Sequence, residues 1–160
     1  MRWRVFVVLG VSTALAAPAH AEPAVPQLGG ACPPEPAGVM TLLADQQTYA
    51  VCQRNPDGDY TWAAAPTPFE PNDAWRSYGP PISLHGQGMR NPNVISGAWT
   101  GIPQDPDAQC RAEQQVVVEA GVLSPPVVSE ARAGEDLAVR LLPRLFSLTL
   151  SGDCLWTRDG

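Results

Sequence analysis

One histidine, His85, follows the first 21 residues of this chain, and histidine is the side chain best suited to acid–base chemistry near neutral pH. Glycines surround it in the segment LHGQG (residues 84–88), which predicts a loop. A loop histidine can serve as a general base or hold a ligand, but no nucleophile or orienting carboxylate adjoins it in sequence. We therefore predict no catalytic residue and treat His85 as a candidate binding residue.

Paired acids are the second group of residues that could act together. The close pairs are Asp57 with Asp59, Asp105 with Asp107, and Glu135 with Asp136. The first two pairs lie in turns and have a form that calcium sites use. A calcium loop of the EF-hand type needs five or more ligands at fixed spacing, which neither pair offers. We expect these acids to form turns, and we predict no metal and no cofactor.

The sequence contains no G-x-S-x-G, H-E-x-x-H, Walker or dinucleotide-binding motif. An enzyme therefore remains an alternative hypothesis, namely a small secreted hydrolase in which His85 works with one of the turn carboxylates.

Four cysteines, an even number, suggest two disulfide bonds in an exported chain. We favour the pairs Cys32–Cys52 and Cys110–Cys154, because they divide the bonds between an N-terminal and a C-terminal block. A zinc site is the rival interpretation. It has little support, since no two cysteines have the two-to-four-residue spacing of zinc knuckles.

The N-terminus predicts export. Arg2 and Arg4 form a basic head, residues 5–17 are apolar, and residues 19–21 (AHA) present small side chains at the two positions that a signal peptidase recognises. We predict cleavage after Ala21. The apolar run is shorter than the roughly 20 residues that span a bilayer as a helix, so we expect no transmembrane segment after cleavage.

Composition narrows the range of partners. The chain has ten arginines, no lysine and sixteen acids, and removal of the predicted signal changes the formal net charge from −6 to −8. An acidic domain without basic stripes is a poor match for nucleic acid or for anionic lipid surfaces. We therefore predict a protein or an envelope ligand as the partner, and no nucleic acid.

Local patterns divide the exported part into a Pro/Gly-rich arm (residues 22–38) and a single β-rich domain (residues 39–160). The firmest local prediction is a hairpin, in which the β-prone runs 48–52 and 59–62 flank the turn NPDG at residues 55–58. Residues 63–81 contain five prolines and predict a fixed loop without secondary structure.

The remaining chain is rich in short strand patterns. Residues 110–120 combine helical and β-branched features, and the three valines at 116–118 favour a strand. Residues 146–150 alternate strictly between apolar and polar side chains. Seven to eight short strands with Gly/Pro turns and two disulfides predict an all-β fold, either an antiparallel β-sandwich or a small barrel.

The predicted Pro-rich loop contains Trp75, Arg76 and Tyr78. These residue types dominate binding interfaces, so an exposed cluster of them would suit a protein, glycan or lipid partner. The alternative is that they cover the open end of the sandwich. We predict a contact surface that consists of Trp75, Arg76, Tyr78 and His85.

The signal peptide, the lysine-free Ala/Pro-rich composition and the closing segment SGDCLWTR (residues 151–158) resemble small exported proteins of actinobacteria, especially mycobacteria. The resemblance implies an envelope or extracellular location, and no catalytic residue carries over. We expect an exported, non-enzymatic β-domain that binds a protein or envelope ligand. The small secreted hydrolase and a purely structural envelope protein are the alternatives.

Overall fold

A computed structural model describes residues 25–160, and every regular element within that range is a β-strand. The strands are β1 Met40–Leu42, β2 Tyr49–Arg54, β3 Tyr60–Ala64, β4 Ala74–Ser77, β5 Ile82–Leu84, β6 Gly97–Pro103, β7 Arg111–Glu119, β8 Val122–Leu123, β9 Val127–Glu130, β10 Leu137–Leu141, β11 Leu145–Ser151 and β12 Cys154–Arg158. The predicted all-β fold is confirmed. The predicted signal peptide and its cleavage site lie outside the described residues.

Two open sheets form a sandwich, so the sandwich and not the barrel is the architecture of residues 25–160. The larger sheet has the strand order β10-β6-β12-β4-β1-β2-β3, and the smaller has the order β5-β11-β7-β8, with β9 also paired to β7. All pairs are antiparallel except β1 with β4. The strands outnumber the predicted seven to eight, because five of them have only two to four residues.

The predicted hairpin is confirmed as β2 and β3, which pair from Ala50 opposite Ala64 to Arg54 opposite Tyr60. In its turn, the Asn55 side chain accepts a hydrogen bond from the Asp59 backbone N–H at 2.9 Å. Such asparagine bonding to nearby backbone is the reason for its frequency in turns. The segment with mixed signals at 110–120 is also a strand, β7, in accordance with its three valines.

The main core lies between the two sheets and contains three buried tryptophans, Trp75, Trp99 and Trp156. A polar side chain of β7 links the two sheets at β10. The Gln114 amide donates to the Arg140 carbonyl at 3.0 Å and accepts the Leu142 N–H at 2.9 Å. Gln114 is 3% exposed, so this pairing satisfies a buried amide that would otherwise be costly.

A second, smaller core lies on the outer face of the larger sheet. It includes Trp62, Cys52 and Tyr78, and Cys32 of the N-terminal arm packs against it. The arm runs along the free edge of β3, where Gly29 N–H donates to the Trp62 carbonyl at 2.8 Å. An edge strand covered in this way is protected from pairing with other chains.

Both predicted disulfides, Cys32–Cys52 and Cys110–Cys154, are confirmed. The first attaches the arm to β2, and the second joins the residue before β7 to β12 and so connects the two sheets. All four cysteines are thereby used, which removes the zinc interpretation.

The prediction that residues 63–81 lack secondary structure is wrong at Ala63 and Ala64, which end β3, and at Ala74–Ser77, which forms β4 between β1 and β12. Its sequence, AWRS, places polar side chains on both faces of the sheet, and both faces are covered by protein. The alternation that identifies a half-buried strand is therefore missing. No helix within residues 25–160 has the length and apolarity needed to cross a membrane.

Candidate functional site

A cleft of about 350 Å³ opens at one end of the sandwich, between the loop that joins β3 to β4 (residues 65–73) and the loop that joins β5 to β6 (residues 85–96). Its lining residues are Tyr49, Thr67, Pro68, Phe69, His85, Arg90, Asn91 and Asn93. The volume lies at the lower end of the range for small-molecule sites. The cleft is thus large enough for a small ligand or for one end of a larger one.

Asn93 fixes the histidine loop. Its buried side-chain oxygen accepts hydrogen bonds from the His85 backbone N–H at 3.0 Å and from the Tyr49 hydroxyl at 3.3 Å. Its carbonyl accepts the Asn72 N–H at 2.9 Å, which connects the two loops that form the cleft. The cleft walls are therefore positioned by hydrogen bonds before any ligand enters.

The His85 ring is oriented by one hydrogen bond, between its Nε2 and the Asn91 carbonyl at 2.8 Å. A carbonyl oxygen only accepts, so Nε2 carries a proton in this contact. The ring is half-buried and is the predicted binding residue that does reach the cleft.

Aromatic rings form the apolar side of the cleft. The Tyr49 ring meets Phe69 edge-on, with centroids 5.1 Å apart, and meets Trp75 behind it at 6.0 Å. Such contacts stabilise the arrangement beyond simple burial. Burial raises the pKa of Tyr49, against the opposing effect of its hydrogen bond with Asn93, so its hydroxyl is neutral at physiological pH. It contributes a polar but uncharged group.

The charged side chain in the cleft lining is that of Arg90, which is exposed and forms no ion pair with another described residue. None of the lining residues is an acid. The hydrolase hypothesis requires a carboxylate within hydrogen-bond reach of His85. The ring instead contacts a backbone carbonyl, so the geometry of the described residues gives that hypothesis no support.

Trp75 does not reach the surface, and its predicted position in an exposed loop is wrong. It is 0% exposed in β4, opposite Trp156, and its Nε1 donates to the Asn72 carbonyl at 3.1 Å. A fully buried side chain with a satisfied N–H belongs to the core. Trp75 supports the cleft from behind through Tyr49 and cannot touch a ligand directly.

Arg76 and Tyr78 are also buried, at 8% and 9% exposure, and the expectation that they form an exposed contact surface is corrected by this burial. The Arg76 guanidinium is ion-paired with Asp153 and lies over the Tyr78 ring, with its central carbon 5.0 Å from the ring centroid. Successive side chains of a strand point to opposite faces of the sheet. Trp75 points into the core between the sheets, so Arg76 points to the outer face, away from the cleft.

Burial dominates the electrostatics of this buried pair. It raises the pKa of Asp153 even though Arg76 acts in the opposite direction, and Asp105 adds a further increase. Burial likewise raises the pKa of Tyr78. The Nη1 atom of Arg76 is buried without a hydrogen-bond partner among the described residues, and the adjacent Tyr78 ring supplies a cation–π contact instead. The arrangement is a structural element of the second core.

A second cavity, the apolar groove, shares the loop of residues 85–96 with the cleft. Its volume is about 410 Å³, and its lining residues are Gly88, Val117, Gly121, Val122, Leu123 and Phe146. Gly88 belongs to the histidine loop and lies against β11, where its N–H donates to the Leu145 carbonyl at 2.8 Å. A Cβ at Gly88 would approach the Arg144 carbonyl oxygen to 2.5 Å, so only glycine permits this contact.

No group of three or more histidine, cysteine or acidic side chains within residues 25–160 is arranged to hold a metal ion. Fold and site together define a disulfide-linked β-sandwich with a small cleft at one end. Comparison of the chain with protein-family models, with curated proteins and with solved structures finds no match.

Sequence reasoning located His85 but missed Tyr49, Phe69, Arg90 and Asn93 as its neighbours. Part of the signal was present, because the segment RNPN (residues 90–93) follows the histidine within the same loop and combines a cation with turn-forming residues. Tyr49 and Phe69 carried no comparable signal. They are assigned to the cleft only by the way the strands assemble.

Proposed function

We propose that this protein is an exported, non-enzymatic β-sandwich of the cell envelope or extracellular space that binds an envelope ligand in the His85 cleft. The observation that carries the proposal is the pre-formed cleft itself, whose two loops are joined through Asn93 and whose lining combines aromatic rings with an unpaired arginine. Rigid sites with a few convergent polar groups are the usual form of ligand sites.

Export rests on the predicted signal in residues 1–21, and the two disulfides are compatible with an oxidising compartment. The resemblance to small exported actinobacterial proteins points to the same location and stays a prediction. Expression with the complete N-terminus in a secreting host, followed by N-terminal sequencing of the recovered protein, tests export. We expect the mature chain to begin at Glu22, and retention of an uncleaved chain inside the cell would contradict the proposal.

The binding proposal is tested through the His85 ring. Histidine-labelled protein that begins at Glu22 has a single histidine ring signal in its NMR spectrum, because His20 lies in the predicted signal. Fractions of envelope extract are added, and we expect at least one fraction to shift the His85 signal. The shift should disappear in Arg90→Glu and persist in Arg132→Glu, an exposed arginine outside the cleft.

Two results would count against ligand binding in the cleft. The first is that no fraction shifts the His85 signal of the folded protein. The second is that a fraction shifts it equally in the wild type and in Arg90→Glu. The first result would favour the purely structural envelope protein, and the second would show that the shift does not depend on binding beside Arg90.

A further inference from the structure

We infer that the ligand is a single-chain anionic amphiphile, such as a fatty acid, whose carboxylate lies in the His85 cleft and whose alkyl chain lies in the apolar groove. This inference rests on the proposed function, since it assigns a chemical class to the ligand of the same cleft. It extends the proposed binding site from the cleft to a second region, the groove.

The two cavities adjoin through three consecutive residues. Gly88 lines the groove, Arg90 lines the cleft, and Met89 between them is 43% exposed. Two residues of chain extend over at most about 7 Å, which limits the distance between the Cα atoms of Gly88 and Arg90. One extended molecule can therefore occupy both cavities by crossing the Met89 side chain, which is itself apolar and flexible.

Exposed large hydrophobic side chains are concentrated in the part of the chain that contributes Val122 and Leu123 to the groove. Eight large hydrophobic side chains among the described residues are exposed, and five of them lie within residues 118–128. Val122 and Leu123, at 46% and 37% exposure, line the groove itself. Apolar patches of this kind usually mark interaction sites in soluble proteins. No lining residue of the groove is charged, and this apolar lining suits an alkyl chain.

The cleft supplies the matching head-group chemistry. Arg90 forms no ion pair with another described residue, and a guanidinium binds a carboxylate through two parallel hydrogen bonds. The Thr67 side chain offers a further hydroxyl group at the same site. A ligand with a charged head and an apolar tail therefore meets complementary surface at both ends.

The formal net charge of −8 that remains after removal of the predicted signal does not prevent an anion from binding here. No acid lines either cavity. Arg90 is the charged side chain of the cleft lining, so the local contact for an anionic head group is with a cation, although the chain as a whole is acidic.

The test uses three soluble probes below their micelle-forming concentrations: octanoate, its uncharged counterpart octanol, and the short-chain butanoate. We expect octanoate to bind the disulfide-bonded protein and to shift the His85 ring signal. We expect it to bind at least about tenfold more tightly than butanoate, because its four additional methylene groups are buried in the groove.

Paired variants locate the two ends of the ligand. Arg90→Gln should weaken octanoate about tenfold and leave octanol unchanged, because only the carboxylate loses its partner. Val122→Ser should weaken both eight-carbon probes. The matched controls are Arg132→Gln and Val128→Ser; Val128 has the same 46% exposure as Val122 but lies outside the groove lining. All four substitutions are at exposed positions, and equal melting temperatures verify that each variant folds.

Three results would overturn the inference. Equal affinities for octanoate and butanoate would show that the groove takes no alkyl chain. Equal weakening by Val122→Ser and Val128→Ser would show non-specific adsorption. Concentration-dependent self-association that Val122→Ser abolishes, without octanoate binding, would assign the groove to a second copy of the chain. If envelope fractions still shift the His85 signal in any of these cases, the proposed function stands and only the amphiphile is wrong.

Discussion

Asn93 holds the backbone of His85 from both sides. Its side-chain Oδ1 accepts the His85 N–H at 3.0 Å, and its own backbone N–H donates to the His85 carbonyl at 2.7 Å. Asn93 is 3% exposed, so these hydrogen bonds are protected from water. The position of the histidine is therefore set by a residue that lies eight positions away in sequence.

Replacement of Asn93 by alanine should destabilise the protein by about 1–3 kcal/mol, because it leaves the His85 N–H without its acceptor. It should also broaden the His85 ring signal, since the loop loses its restraint. Chemical denaturation and NMR measure the two effects. Gln87→Ala is the control: its side chain accepts hydrogen bonds from Ser96 in the same loop, but at an exposed position. Equal losses in the two variants would contradict the role of Asn93.

Replacement of Trp75 by alanine should lower the free energy of unfolding by about 3–5 kcal/mol, because a fully buried indole is removed from the core. Urea denaturation measures this change. Replacement of a surface binding residue by alanine would instead leave the free energy of unfolding nearly unchanged. The exposed Val128→Ala variant supplies that comparison, and a similar stability for both variants would mean that Trp75 is not a core residue.

Replacement of Gly101 by alanine should destabilise the protein by about 1–3 kcal/mol through overpacking. Gly101 lies opposite Trp156, and a Cβ there would approach the Trp156 ring to 2.6 Å. Gly79→Ala is the matched control, since a Cβ at Gly79 meets no atom within 4 Å. Thermal denaturation of both variants measures the difference, and an unchanged Gly101→Ala variant would contradict this packing.

Removal of the inter-sheet disulfide by the double replacement Cys110→Ala and Cys154→Ala should cost about 2–4 kcal/mol. The corresponding loss for Cys32 and Cys52 should be smaller. In the chain-entropy account, the 44-residue separation of the first pair restricts the unfolded chain more than the 20-residue separation of the second. Denaturant midpoints of the two double variants test the order, and the reverse order would contradict it.

Asp45 should contribute stability that depends on pH. Its pKa lies below the ordinary value of 3.8, mainly because its carboxylate accepts a hydrogen bond from the Thr48 hydroxyl, and also because it accepts the backbone N–H groups of Thr48 and Gln47. A lowered pKa in the folded state gives stability that is present above 3.8 and is lost as the pH falls through the folded-state value.

The Asp45→Ala variant should therefore melt below the wild type at neutral pH, and the two melting temperatures should converge in acid. Thermal denaturation across this pH range measures the difference. A constant gap between the two proteins would show that the carboxylate charge is not responsible.

The sequence alone was sufficient for the features that depend on neighbouring residues or on simple counts. Two β-prone runs around the NPDG turn identified the β2–β3 hairpin, and the even number of cysteines indicated two disulfides. These features are recoverable because turn chemistry and strand alternation act over a few residues. The predicted signal peptide rests on the same kind of local pattern.

Only the tertiary structure decided which residues meet. Trp75 became a core residue because β4 is inserted between β1 and β12, although its Pro-rich surroundings suggested a loop. Tyr49 reaches Asn93 across 44 positions of sequence. The cleft and the groove became neighbours because the histidine loop lies on β11. Strand order and register bring distant residues together, and a local sequence pattern specifies neither of them, because the free energy that selects them comes from burial of the whole core.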